Sequence, residues 1–274
     1  MNPVYIIDTV RTPVGKYGGI LSSVRPDDLL AIVIKALVER NKSLNINEIE
    51  DVIAGAANQA GEDNRNVARM AALLAGLPVT VAGNTVNRLC ASGLQAIMDA
   101  SRQIICGDAE LVIAGGVESM TRAPYVLAKN SEAFSRSAEI FDTTMGWRFI
   151  NKELAAMYHP FTMGETAENV ARKWNIGRAE QDQFALASQQ RYAAAKAANK
   201  WDEEIIPVII SKGKDKLTVD KDEHPRETSL EKLASLKPAF IKDGTVTAGN
   251  SSGINDGAAA MLLAGSHTVS KYGL

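Results

Sequence analysis

The first third of the chain alternates between short apolar runs and longer stretches with helical spacing. VYIID (Val4–Asp8) reads as a buried strand. Pro26 is placed to open a helix, as proline does at a first helical position, and Leu29, Leu30, Val33, Ala36 and Leu37 recur at helical spacing behind it. DVIAG predicts a second strand, and NVARMAALLAG a second helix closed by Gly76. NTV then leads into a turn at Cys90, followed by a helix whose expected apolar stripe is Leu94, Ile97, Met98, Ile104 and Ile105. LVIAGG (Leu111 to Gly116) is the next strand. Strands and helices joined by short links predict an α/β protein with a largely parallel, helix-covered sheet.

The pattern changes after Glu118. Residues 119–162 carry few strand signals, and helices resume in ETAENVARKWN and in RAEQDQFALASQQRYAAAKAANK. The second has the alanine content and the acidic first turn of a good helix. EEIIPVIIS is a strand interrupted by Pro207, and the charged stretch KGKDKLTVDKDEHPRETS is expected to be a solvated loop. GTVTAGNSSGINDGAAAMLLAG returns to the character of the first third. The expected organisation is one α/β domain, residues 1–117 and 247–274, interrupted by an insertion over 118–246.

Composition narrows the function classes. The 274 residues are 46% hydrophobic and 23% charged with a net charge of −2, so no broad basic field points to nucleic acid or anionic lipid. Two cysteines, Cys90 and Cys106, exclude a disulfide framework and a cysteine-rich zinc centre; no metal site is expected. The opening MNPVYIIDTVRTPVG has no basic segment followed by an apolar core, and no apolar run approaches the ~20 residues of a membrane span. A soluble protein of a reducing compartment, most simply the cytoplasm, is the expectation.

Cys90 sits where a helix begins. Unpaired N–H groups and the helix dipole favour a thiolate there, and small neighbours such as Ala91 and Gly93 leave room for a thioester. That suits covalent acyl chemistry. The alternative is a thiol merely packed beneath the helix. Cys106, between Ile105 and Gly107, reads as a core or near-core thiol.

VNRLCASGLQA resembles the nucleophile segment of the thiolases, the acyl-CoA acetyltransferases. GGVESMTRAP, MGETAENVA and TAGNSSGINDGAAA continue the resemblance in the family's order. ANQAGEDNRNVARMA and EIFDTTMGWRFIN are similar to degradative members, particularly β-ketoadipyl-CoA thiolases. The resemblance implies half of the thiolase fold: a mixed, mostly parallel five-stranded sheet with helices on its faces, plus an inserted loop domain. It assigns Cys90 the acyl-accepting role, with its backbone N–H a candidate oxyanion donor. Coenzyme A and acyl-CoA enter as substrates, with no permanently bound cofactor, nucleic-acid or membrane partner. By motif, Leu154, Met163, Phe240, Ala248 and Ser252 would line the pantetheine channel and Arg226 would meet the nucleotide phosphates. Leu154, Met163 and Phe240 are equally readable as core, and Arg226 as a solvated surface residue.

Two departures stand out. Thr162 occupies the position before Met-Gly where some members carry histidine, and His159 is out of register. The family's second half, with a Gly-His-Pro histidine, a Cys-x-Gly cysteine and an oxyanion-holding asparagine, has no counterpart here. His159, His224 and His267 lie in other contexts, and His224 and His267 are expected at the surface. The resemblance therefore implies that this sequence holds the N-terminal portion only and is inactive alone, the intact enzyme being a homodimer or tetramer. A lone half would expose an apolar face and self-associate. Other readings remain open: a related cysteine condensing enzyme such as a ketoacyl synthase, or a non-catalytic CoA-binding scaffold. A redox-sensor role for Cys90 has no resolving cysteine nearby.

Overall fold

The computed structural model describes residues 2–130 and 132–274. The elements run β1 (Val4–Arg11), β2 (Gly15–Lys16), α1 (Pro26–Arg40), β3 (Asp51–Gly55), α2 (Val67–Leu74), β4 (Ala82–Val86), α3 (Ser92–Cys106) and β5 (Leu111–Ser119). They continue with β6 (Tyr125–Leu127), β7 (Ile140–Asp142), α4 (Lys152–Met157), α5 (Met163–Trp174), α6 (Arg178–Ala197), β8 (Val208–Lys212), β9 (Asp215–Val219), α7 (Leu230–Ala234), β10 (Asn255–Gly265) and α8 (Ser266–Tyr272). The chain forms two compact units: Met1–Pro124 with Asp202–Glu223 and Asn255–Leu274, and Tyr125–Trp201 with His224–Ile254.

The first unit is built on a sheet of order β1-β10-β5-β3-β4, with the two-residue β2 pairing with β10 as a sixth strand. β3 pairs in parallel with both β4 and β5, while β10 is antiparallel to β5 and β1. Four of the five main strands thus share a direction and β10 alone is reversed, which makes the sheet mixed and mostly parallel. Strand alternation sorts its side chains onto two faces. Val52, Ala54, Leu111, Ile113, Ala260 and Leu262 join the core that includes α1 and α2, whereas Ile53, Val112, Ala114 and Leu263 meet α3.

The helices begin and end where local chemistry dictates. Pro26 opens α1, with Asp27 and Asp28 in its first turn and Arg40 in its last. The Asn66 side chain caps α2 by accepting from the Arg69 N–H, and Gly107 closes α3 at φ 82°.

α3 forms as expected but buries a different face. Ser92, Ala96, Ala100 and Ile104, four residues apart, lie against the sheet, while Leu94 is 62% and Met98 37% exposed, and Ile105 is also exposed. The reason is the closeness of helix to sheet: a Cβ on Gly55 of β3 would stand 2.2 Å from the Ser92 carbonyl carbon. Near Gly55 only small residues fit such a contact, so Leu94, Met98 and Ile105 turn outward, while Ile104 is buried as expected and Ile97 packs at the edge of that core.

The charged stretch after Pro207 is not simply a solvated loop. β8 and β9 form an antiparallel hairpin turning at Gly213 (φ 64°), with Val208, Ile210 and Val219 buried and Leu217 packed beside them. Lys216 and Thr218 occupy the intervening positions, an alternation that net charge obscured. Beside this hairpin, Arg11 donates to Glu204 at 2.7 Å and to Asp222 at 2.7 and 3.1 Å.

In the second unit, α5 opens with a capping box. The Thr162 hydroxyl accepts from the Glu165 N–H, and the Glu165 carboxylate accepts from the Thr162 N–H. Glu168 of α5 and Asp182 of α6 are buried carboxylates. Among the described residues no helix is long and apolar enough to cross a membrane.

Candidate active site

Cys90 lies in the tight turn between β4 and α3 and is exposed. Asn87 anchors the turn: its Nδ2 donates to the Ala57 carbonyl at 2.9 Å and its Oδ1 accepts from the Leu89 N–H at 2.9 Å. Leu89 is held at φ 49°, a left-handed conformation that costs a bulky residue free energy. Ser92 holds it there. Its hydroxyl donates to the Leu89 carbonyl at 2.5 Å and accepts from the Arg88 N–H at 2.8 Å. The Ala91 and Ser92 N–H groups bond back to Arg88 and Leu89. The neighbouring sequence thus folds into a rigid bend that presents the thiol to solvent at the mouth of a 15-residue helix.

The motifs flanking this turn are structural supports. In GGVES, a Cβ on Gly115 would stand 2.1 Å from the Ala259 carbonyl oxygen, and one on Gly116 would stand 2.7 Å from that of Gly55. Glu118 accepts from the Ala57 and Asn58 N–H groups at 2.8 and 3.2 Å, bracing the loop that Asn87 also holds. Asp256 of the NDG motif is fully buried and accepts from the Thr121 N–H (2.9 Å), the Thr121 hydroxyl (2.6 Å) and the Ser119 hydroxyl (3.3 Å). Near them lies a carboxylate that sequence reasoning missed. Asp63 is pushed up to about 6, first by burial and then by Glu118, Asp27 and Glu62, outweighing a lowering backbone hydrogen bond. The local sequence shows only the adjacent Glu62; Asp27 and Glu118 arrive from α1 and β5, and burial, the largest cause, is set by the fold. Glu62 is pulled below the usual glutamate range by its hydrogen bonds with Arg122.

Cys106 is exposed rather than a core thiol, because the closing turn of α3 directs it away from the sheet-facing Ala100–Ile104 row. Ser92 and Cys106 mark the ends of α3, about 21 Å apart at 1.5 Å per residue. His267 is exposed, as expected. It follows Gly265, at the Leu111 end of the sheet, whereas the Cys90 turn follows Val86 at the Gly116 end. Five residues of strand, about 17 Å, separate the two ends, so His267 is no base for this cysteine.

The remaining expected site residues all lie in the second unit. Met163 is the first residue of α5 and is exposed; the Phe240 ring packs on the next residue, with a Gly164 Cβ standing 2.1 Å from Phe240 Cδ1. Arg226 donates through Nη2 to the Ala248 carbonyl at 3.2 Å, and its N–H donates to Gln189 Oε1 at 3.0 Å. Ser252 and Ala248 are exposed on the loop that follows Thr247. Leu154 sits in α4 and, like Phe240, is exposed, so neither is a plain core residue. The Thr162 hydroxyl, bonded to Glu165 Oε2 at 2.8 Å, is engaged by the helix cap. His159 stacks edge-on against Phe161 with ring centroids 4.5 Å apart. His224 is not a free surface histidine: a Gly253 Cβ would stand 2.0 Å from its Cε1, and its buried Nε2 has no hydrogen-bond partner among the described residues.

The fold and this turn together define an α/β protein that presents an exposed cysteine at a strand–helix junction. The profile described as thiolase, N-terminal domain, matches residues 4–267. The chain is 59% identical over its whole length to the β-ketoadipyl-CoA thiolase of Acinetobacter baylyi, covering 69% of that protein. It is 55% identical to the 3-oxoadipyl-CoA/3-oxo-5,6-dehydrosuberyl-CoA thiolase of Escherichia coli K12, again covering 69%. The crystal structure of the Bacillus anthracis acetyl-CoA acetyltransferase superposes with a TM-score of 0.91 at 41% identity, covering all of this chain and 68% of that one. The chain belongs to the thiolase family of acyltransferases and corresponds to its N-terminal portion.

Proposed function

We propose that this chain supplies the nucleophile and the CoA-facing surface of an acyl-CoA C-acyltransferase that cleaves 3-ketoacyl-CoA, or runs the reverse condensation. The observation that carries this is Cys90, exposed in a strained and hydrogen-bonded turn at the mouth of α3. In cleavage, the Cys90 sulfur attacks the 3-keto carbon and the bond between C2 and C3 breaks. The departing carbanion takes a proton to become acetyl-CoA, and the acyl group stays on sulfur until the thiolate of a second CoA displaces it. Developing charge on the keto oxygen requires a donor, for which the Cys90 N–H is the candidate in this chain. The proton transfers require a base. The 274 residues contain no Gly-His-Pro segment, so turnover is expected only where that element is supplied.

The preferred substrate class is a 3-ketoacyl-CoA whose acyl chain ends in a carboxylate, on the strength of the names of the A. baylyi and E. coli relatives. The second unit's Leu154, Met163, Phe240, Ala248 and Ser252 form the proposed pantetheine contacts, with Arg226 toward the nucleotide phosphates; this assigns the CoA side to the 118–246 insertion and the start of the 247–274 segment. We place the intact enzyme in the cytoplasm as a homodimer or tetramer. Mass spectrometry of the Cys90 peptide after incubation with acetyl-CoA tests the central claim. Acetylation at Cys90, lost in Cys90→Ala, is expected; an unmodified peptide from protein whose Cys90 still alkylates with iodoacetamide would refute it.

A further inference from the structure

The MGETAENVA and TAGNSSG segments contribute exposed residues to the proposed CoA surface, but a buried carboxylate of the first, Glu168, faces Thr245 and Val246, just ahead of the second. Glu168 is 4% exposed, and among the described residues the hydrogen bonds it accepts come from one loop. Its Oε1 accepts from the Thr245 and Val246 N–H groups at 2.8 and 2.7 Å. Its Oε2 accepts from the Thr245 N–H at 3.1 Å and the Thr245 hydroxyl at 3.0 Å. Gly244 makes the approach possible, since a Cβ there would stand 2.3 Å from Glu168 Oε1. From α6, Gln181 Nε2 donates to the Thr245 hydroxyl at 2.9 Å.

A second anchor lies a few residues on. Asn250 Nδ2 donates to Asp182 Oδ1 at 2.9 Å and to the Thr245 carbonyl at 3.1 Å, while its Oδ1 accepts from the Thr247 N–H at 2.7 Å. Asp182 is itself held by Arg178 Nε at 2.8 Å. The segment 245–252 is irregular, so its backbone groups need partners from outside. A buried carboxylate is costly unless fully bonded, and only a carboxylate offers two oxygens that accept without donating. Both conditions are met at Glu168.

We propose that Glu168, with Asn250 and Asp182, is a positioning device for the CoA-binding loop: it fixes residues 245–247 so that Ala248 and Ser252 meet the pantetheine arm, while Arg226 grips the Ala248 carbonyl. This rests on the proposed reading that Ala248 and Ser252 face CoA. Glu168 touches no substrate; it acts through the loop. A small displacement of a contact loop is enough to weaken binding strongly, and supporting shells decide such placement.

The test is calorimetric titration of the 1–274 chain with CoA, beside its variants. Glu168→Ala is expected to weaken CoA binding about tenfold, since it frees the loop that carries two of the contacts. Glu168→Gln, which keeps one acceptor oxygen for the Thr245 and Val246 N–H groups, is expected to recover most of the affinity. Asn250→Ala removes the tie to Asp182 without hollowing the helix packing and should weaken binding in the same direction. Helical circular dichroism and the Cys90 alkylation rate should be unchanged in Asn250→Ala and Glu168→Gln. Parental affinity in both alanine variants overturns the proposal, as does an equal loss in Glu168→Ala and Glu168→Gln that tracks lost helical signal. Phe240→Ala and Ser252→Ala separate the two claims. If they leave CoA affinity intact, the CoA surface itself is refuted and the positioning role falls with it. If they weaken binding while the Glu168 and Asn250 variants do not, the positioning role alone is refuted.

Discussion

Asp63 is predicted to make the protein less stable as pH rises through the weakly acidic range. It is 7% exposed, and burial together with Glu118, Asp27 and Glu62 raises it from the ordinary aspartate value of 3.8 to about 6. The folded state therefore holds the Asp63 proton more tightly than the unfolded chain does. Its favourable contribution is fully present below pH 3.8, declines between 3.8 and 6, and is gone above about 6. At 1.36 kcal/mol per pKa unit the shift corresponds to about 3 kcal/mol, an order of magnitude comparable with a large share of a domain's net stability. Urea unfolding of the parent and of Asp63→Asn at half-unit intervals from pH 4.5 to 8 isolates this group, because the other carboxylates are common to both proteins. Between pH 4.5 and 8 the difference in unfolding free energy should shift in favour of Asp63→Asn by about 2 kcal/mol, the part of the shift that lies above pH 4.5, and level off near pH 7. A difference that does not vary with pH would show that Asp63 ionises normally and that the carboxylates of α1 and β5 do not press on it.

Gly55→Ala places a methyl group 2.2 Å from the Ser92 carbonyl carbon, and the overpacking should cost about 1–3 kcal/mol in urea unfolding while altering the iodoacetamide reaction rate of Cys90. Asp256→Ala strands the Thr121 and Ser119 donors in a fully buried site; a loss of about 1–3 kcal/mol is expected, with Asp256→Asn milder, as read by thermal or urea unfolding. On the outward face of α3, the pair Leu94→Gln and Met98→Gln should change unfolding stability by no more than about 0.5 kcal/mol, since both side chains are exposed, yet reduce self-association in sedimentation velocity. Equal association in parent and double variant would locate the sticky surface elsewhere.

Most strands and helices of the first unit follow from local rules. Period-two and helical spacing, Pro26, Gly76 and Gly107 act within one or two turns of chain, so β1, α1, β3, α2, α3 and β5 were legible without a fold. So was the Cys90 turn, because a thiol between a strand and a helix start carries its chemistry in its immediate neighbours. The acyltransferase class came from motif resemblance, and the comparisons bear it out.

What tertiary structure decided was which side of each element faces inward and which polar groups are buried. Of the expected α3 stripe, Ile104 is buried and Ile97 packs at the core's edge, but a sheet that approaches within reach of Gly55 turns Leu94, Met98 and Ile105 outward in favour of Ser92, Ala96 and Ala100. β8 was legible as the strand after Pro207, but its partner β9 was hidden by charge until Leu217 and Val219 found the core that Val208 and Ile210 join. Asp63, Glu168 and Asp256 read as ordinary acidic positions along the chain. Their roles arise from partners 55 to 135 residues away, namely Glu118, Thr245 and Thr121. Sequence determines local periodicity, turn chemistry and the position of the candidate cysteine, because those depend on covalent neighbours. Burial, desolvation and the placing of carboxylates depend on which distant segments meet, and only the folded chain sets that.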